Sequence, residues 1–205
     1  MTTDKPPSRR SSGRPRRLIL LALLVLAGLF IWRNHFATYH LATVQQGVLY
    51  RDGNRGINTF LTGLRKAKPR TIVCLIDDNE LADQRKPQFA AEFKQSPGQG
   101  ANVIRLPIPL GGWPTSDDIQ KFLSIVTDKS NQPVLVHCAQ GVRRTGMLVA
   151  AYQQSVLGYD KQQAKAAIQA FGHKGQTLED VKRFIDLYDP ATRTLTTQPA
   201  MTGVE

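Results

Sequence analysis

Val134-Leu135-Val136-His137-Cys138-Ala139-Gln140-Gly141-Val142-Arg143-Arg144-Thr145-Gly146 is the stretch on which the fold turns. Val134 to His137 opens as an unbroken apolar, β-branched run, the pattern of a strand buried on both faces. A six-residue turn follows, and a helix opens around Thr145. In an open parallel sheet, ligands sit beyond the carboxyl ends of the strands. A turn there aims several backbone N–H groups at one spot, and the helix N-terminus adds positive potential, which makes an anion cradle. The same field lowers a thiol pKa, to about 3.5–7.5 in comparable surroundings, so Cys138 is expected to be a thiolate and a nucleophile. Arg144 offers a planar fork for two phosphate oxygens. Thr145 can donate its hydroxyl to the sulfur, and Gly141 lets the backbone pass close to a ligand. The cradle comprises Cys138, Ala139, Gln140, Gly141, Val142, Arg143 and Arg144, with Cys138, Arg144 and Thr145 as catalytic candidates.

Outward from the turn, strands alternate with helices. Gly47–Arg51 reads as a first strand. Ile57, Phe60, Leu61 and Leu64 share one helical face, ended by Pro69. Thr71–Ile76 is a second buried strand, closed by Asp77-Asp78-Asn79. Pro87 opens a helix carrying Phe89, Ala90 and Phe93, and Ala101–Leu106 is a third strand. An irregular loop spans Pro107–Pro114. Thr115-Ser116-Asp117-Asp118 has the form of a capping box, with Ile119, Phe122, Leu123 and Val126 inward. Helices are expected over Thr145–Leu157, Lys161–Ala170 and Leu178–Tyr188. The fold class is α/β: a mainly parallel sheet of four to five strands flanked by helices.

The signature resembles that of the protein tyrosine phosphatase superfamily: His137-Cys138, five residues, Arg144, then Thr145. Gly47–Arg51, the 65–76 segment and 160–170 are similar to the compact dual-specificity-like branch in bacteria. The resemblance spans about residues 45–190. It implies hydrolysis of a phosphate monoester through a phosphocysteine intermediate, with no cofactor and no metal, on a phosphorylated protein or a small phosphomonoester. His137 is read as a structural residue orienting the turn, and Arg143 as solvent-facing. Cys74, on another strand, is read as core; some relatives form a reversible disulfide with the nucleophile, which makes a Cys74–Cys138 pair the lesser expectation.

The resemblance also implies an Asp about thirty residues before the cysteine as general acid. Leu106–Leu110 stands there and holds no carboxylate; the position directly before the arginine, used by other relatives, is Arg143. The general acid is therefore unassigned, with Asp77, Asp78 and Asp117 as weak candidates beside Asp118. Trp113-Pro114 is similar to the mobile acid loop of classical relatives, but Thr115 stands where the Asp would be, so these residues are read as packing. Two other functions compete: a catalytically weak or inactive phosphate-binding module, and a sulfurtransferase, which Arg144-Thr145-Gly146 disfavours.

The chain has 205 residues, 41% of them hydrophobic, and two cysteines. That excludes a large multidomain enzyme, a disordered chain and a disulfide scaffold. The net charge of +11 is uneven: residues 1–17 carry +5 and residues 34–205 another +5. The body is only mildly basic, and nucleic-acid binding is not expected. Leu18–Trp32 is fifteen residues without a charge, between a basic leader and Arg33. The charge bias and the lack of a clean cleavage site favour an uncleaved signal anchor over a cleaved signal peptide. The expected organisation is a cytoplasmic leader over 1–17, a transmembrane anchor over 18–33, a connector over 34–46, the phosphatase domain over 47–190 and a flexible tail over 191–205. This places the catalytic domain on the periplasmic side of the inner membrane.

Overall fold

The computed structural model describes residues 13–196. The chain divides into two compact units, Met1–Ala37 and Thr38–Glu205. The first holds helix α1 (Gly13–Phe36). Its range takes in Arg14, Arg16, Arg17 and Arg33, which leaves the fifteen apolar residues of Leu18–Trp32 between them. At about 1.5 Å per residue that run covers roughly 22 Å, against the ~30 Å of a hydrocarbon core. No helix among the described residues is long and apolar enough to cross a membrane. The expected anchor, the membrane partnership through Leu18–Trp32 and the periplasmic placement are overturned by that finding. Most of the leader and the end of the tail lie outside the described residues.

The second unit is built on a five-stranded sheet in the order β1-β2-β5-β3-β4. β2 (Leu49–Gly53), β3 (Thr71–Cys74), β4 (Asn102–Arg105) and β5 (Val134–Cys138) run parallel, and β1 (Ala42–Gln45) joins β2 antiparallel at the edge. β1 lies in the stretch read as a connector. Thr194–Leu195, within the expected tail, pairs as a two-stranded ribbon with Tyr188–Asp189 at the end of the expected domain. β5, the most apolar strand, is central and buried along its whole length, as the lack of alternation requires.

Helices α2 (Ile57–Ala67) and α4 (Pro87–Gln95) cover one face of this sheet, with short α3 (Asp78–Ala82) before α4. Phe60, Leu64, Ile72 and Leu135 form the core on that side. On the other side α5 (Ser116–Thr127), α6 (Arg143–Ser155), α7 (Lys161–Ala166) and α8 (Gln176–Leu187) pack a larger core around Val136, Met147, Phe184 and Tyr188. Capping boxes start three helices: Asp77 with Glu80 for α3, Thr115 with Asp118 for α5, and Asp160 with Gln163 for α7. Trp113 packs 5.9 Å from the Phe184 ring, as its reading as a packing residue requires.

Candidate active site

The site forms where β5 ends and α6 begins. Cys138 closes the strand and is buried; Gly141 turns the chain with φ of +69°. A Cβ at position 141 would stand 2.2 Å from the Asp52 carbonyl oxygen, so the turn can lie against β2 only with glycine there. Gly53 makes the same allowance from the other side: a Cβ there would be 2.7 Å from the Gln140 carbonyl.

The turn's carbonyls are held outward by donors from β2 and the residues before β1. His40 Nδ1 donates to Gln140 O at 2.7 Å. Arg51 Nη2 donates to Gly141 O at 2.5 Å, and the Asn54 N–H to Cys138 O at 3.1 Å. With carbonyls committed outward, amide N–H groups converge inward, and Gly141 N donates to Cys138 Sγ at 3.2 Å. Arg51 is buried, and burial lowers its pKa to about 10, partly offset by the charge of Cys138.

Burial by itself pushes the Cys138 thiol pKa up. The Arg144 charge, the Thr145 hydroxyl and the Thr145 and Gly141 amides outweigh it, and the net direction is below the ordinary value of 9.0. The Thr145 hydroxyl is buried and has no other partner. Arg144 is 4% exposed and clamped by four acceptor contacts. Its Nη1 donates to Glu80 at 2.5 Å, to Leu75 O at 3.1 Å and to Ile108 O at 3.0 Å, and its Nη2 donates to Glu80 at 3.0 Å. The Nε–H and one Nη2 N–H are left for a ligand. Glu80 was not legible as a site residue: its sequence signal was the capping box, and its pairing with Arg144 spans 64 residues.

His137 faces the opposite side of β5 from Cys138, as strand alternation dictates. It is fully buried and donates from Nε2 to Glu92 Oε1 at 2.8 Å. Burial lowers its pKa, but Glu92 and Cys74 more than reverse this, and His137 is held protonated well above 6.5. Glu92 Oε2 accepts from Asn54 Nδ2 at 2.8 Å. Glu92 therefore ties together His137 and Asn54, both of which flank the nucleophile's backbone. Cys74, His137 and Glu92 bring a sulfur, a nitrogen and an oxygen within 4.8 Å of one another, and among the described residues they are the group able to hold a metal ion. Cys74 pairs with His137 in register and packs with Ile76 and Phe89, whereas Cys138 belongs to the core on the other face. The sheet separates the two thiols, which contradicts the lesser expectation of a Cys74–Cys138 disulfide.

Arg143 is not solvent-facing as expected. It donates to Asp180 at 2.5 Å and to the carbonyls of Gly111 and Gly112, so its side chain pins the 107–114 loop and is turned away from the cradle. Of the acid candidates, Asp77 accepts from the Glu80 and Leu110 amides, each at 2.7 Å. Asp78 is solvent-exposed and paired with Arg105 at 2.7 Å. Asp118 caps α5, and Asp117 is exposed in its first turn. Asp77 is the one whose charge acts on Arg144.

Comparison with known proteins agrees with this geometry. The dual specificity protein phosphatase OPG106 of vaccinia virus is 32% identical over 45% of this chain and 64% of its own length. The chain thus spans somewhat under two thirds of that relative. The catalytic core of the PP-IP phosphatase Siw14 from S. cerevisiae, solved with citrate, superposes with a TM-score of 0.57 over 76% of this chain and 88% of its own, at 22% identity. P. aeruginosa TpbA in complex with pTyr superposes at 0.50 over 71% and 83%, at 24% identity. These structures share the fold. A family described as DSP-PTPase phosphatase fused to NAD+ kinase matches residues 61–186, more than half of the chain, and the chain belongs to that family.

Proposed function

We propose that the chain hydrolyses phosphate monoesters through a phosphocysteine intermediate. The observation that carries this is Cys138: a thiol with a lowered pKa, 3.2 Å from the Gly141 N, in a turn whose Cys138, Gln140 and Gly141 carbonyls are bonded to donors outside it. A phosphate seated on the amides and on the two uncommitted Arg144 donors presents its phosphorus to the sulfur. The thiolate forms an S–P bond as the P–O bond to the leaving group breaks, and the leaving oxygen takes the electron pair. Water then attacks phosphorus, the S–P bond breaks, and inorganic phosphate and the Cys138 thiolate return. Glu80 keeps the Arg144 fork in place throughout.

Substrates of the kind named for the relatives, a phosphorylated protein or a small phosphorylated molecule, suit this chemistry. A second reading, a weak or inactive phosphate-binding module, is favoured by one observation: Asp77, the carboxylate that acts on Arg144, has both oxygens already engaged by backbone amides. Turnover of an aryl phosphate separates the two. Cys138→Ser is expected to abolish turnover while preserving phosphate binding, and Arg144→Lys to lose most activity, since an ammonium cannot make the bidentate contact. Substantial turnover by the serine variant would rule out the covalent route.

A further inference from the structure

Beside the turn stands a column of stacked groups, of which only His40 and Arg51 serve the turn, through their bonds to its carbonyls. His40 lies between Tyr39 (ring centroids 3.9 Å apart, 21° between planes) and Phe171 (4.5 Å, 10°), with His173 edge-on at 5.6 Å. Arg55 caps the Tyr39 end at 5.8 Å, and Arg51 the Phe171 end at 5.4 Å. His40 and Phe171 both hold left-handed backbone, with φ of 62° and 47°, a cost kept where the surroundings demand it.

The column adjoins the cradle. His40 bonds the carbonyl of Gln140, two residues past the nucleophile, and its Nε2 has no protein partner. Arg55 stands two residues past the carboxyl end of β2, where Gly53 is in register with Cys138, on the edge of the sheet where ligands sit. The charged groups acting on His40 are His173, Arg51 and Arg55, all of one sign. Arg51 is committed to the turn. Among the described residues, His40, His173 and Arg55 take part in no ion pair, whereas Arg143, Arg105 and Arg144 each have a carboxylate. Burial first, and then these positive neighbours, hold the His40 pKa below 6.5, so its imidazole stays neutral near pH 7; an anion placed among them would offset their repulsion and favour a proton on the free Nε2.

We infer that His40, His173 and Arg55 form a subsite for a second phosphate, carried by the same small molecule as the phosphate in the Cys138 cradle. This rests on the phosphatase reading and names a substrate class for it: small molecules bearing at least two phosphates. Substrate binding then uses two anion sites, one at the reacting centre and one beside it, and the spacing between them is what bisphosphonates of graded length read out.

The test is calorimetric titration of the full chain with non-hydrolysable probes: methylphosphonate, and methylene-, ethylene- and propylene-bisphosphonate. The best-spaced bisphosphonate is expected to bind at least about tenfold more tightly than methylphosphonate. In the Arg55→Ala/His173→Ala double variant this advantage should fall to about twofold or less, with methylphosphonate affinity unchanged. Lys94→Ala, which removes a positive charge from α4, should keep the full advantage. No bisphosphonate advantage in the wild type, or an advantage that survives the double variant, overturns the subsite. Separate assay of p-nitrophenyl phosphate turnover tests the phosphatase reading: its absence sinks that reading while the binding series still decides on the subsite.

Discussion

Two glycines share a backbone conformation and differ in what surrounds them. Gly141 and Gly158 have φ of +69° and +72°, but a Cβ at 141 would strike the Asp52 carbonyl while one at 158 would meet nothing within 4 Å. Gly158→Ala should therefore cost about 1 kcal/mol, the left-handed penalty alone, and leave turnover intact. Gly141→Ala adds a clash with backbone and is expected to cost about 2–3 kcal/mol and to lower kcat/KM by more than about tenfold, because the turn must shift off β2. Chemical denaturation and aryl phosphate kinetics on the two variants check this; equal kinetics would mean that the turn tolerates displacement. At this scale the sequence was most legible. Cys138, Gly141, Arg144 and Thr145 sit within eight positions, and their roles follow from local geometry. Glu80, Glu92, Arg51 and His40 were not legible as supports, since each reaches the turn from 40 to 100 positions away and no local pattern marks the contact.

Between elements, the parallel pairing of the sheet was implied by the alternation of strands and helices, whereas the strand order was not, and the runs at β3 and β5 were read as buried. β1 was missed because four residues, Ala42–Gln45, make a strand only through pairing with β2. The apolar run of α1 was overread: its residue types suit a membrane helix, but its length does not. What ties helix to sheet under the nucleophile is the Glu92–His137 pair, reaching from α4 to β5 with both side chains fully buried. His137 has a raised folded pKa, so the pair's contribution is complete below the unfolded value of about 6.5 and is lost as pH rises through the folded value. Glu92→Gln should lose about 3 kcal/mol near pH 6, and the gap to the wild type should narrow as pH rises above 6.5 and through the raised His137 value. Denaturant midpoints of both proteins across that range report it. A loss that does not vary with pH would show that Glu92 acts by packing and not by charge.

At the level of the whole molecule, the loop that would deliver an acid to the leaving group carries none. Leu106–Leu110, where the resemblance implies the acid, holds no carboxylate; Arg143 pins the loop through Gly111 and Gly112, and Asp77 is tied to it at the Leu110 amide. A positioned acid contributes about 10²–10⁴ in rate, chiefly for poor leaving groups. Without one, the departing oxygen must carry its own charge, and rates on aryl phosphates should rise steeply as the leaving phenol becomes more acidic. The pH profile has a matching form. Activity needs the Cys138 thiolate, whose pKa lies below 9.0, so kcat/KM should climb through that lowered value and then level off. A working acid would add a descending limb at higher pH and make the profile a bell. The measurement is a leaving-group series with pH profiles on the wild type and on Asn variants of Asp77, Asp78, Asp117 and Asp118. A shallow series and a bell-shaped profile in the wild type, turning steep and single-limbed in one variant, would identify that residue as the acid and defeat the expectation. Asp77 is the variant to make first, since its charge acts on Arg144 and both of its oxygens are already engaged by backbone amides.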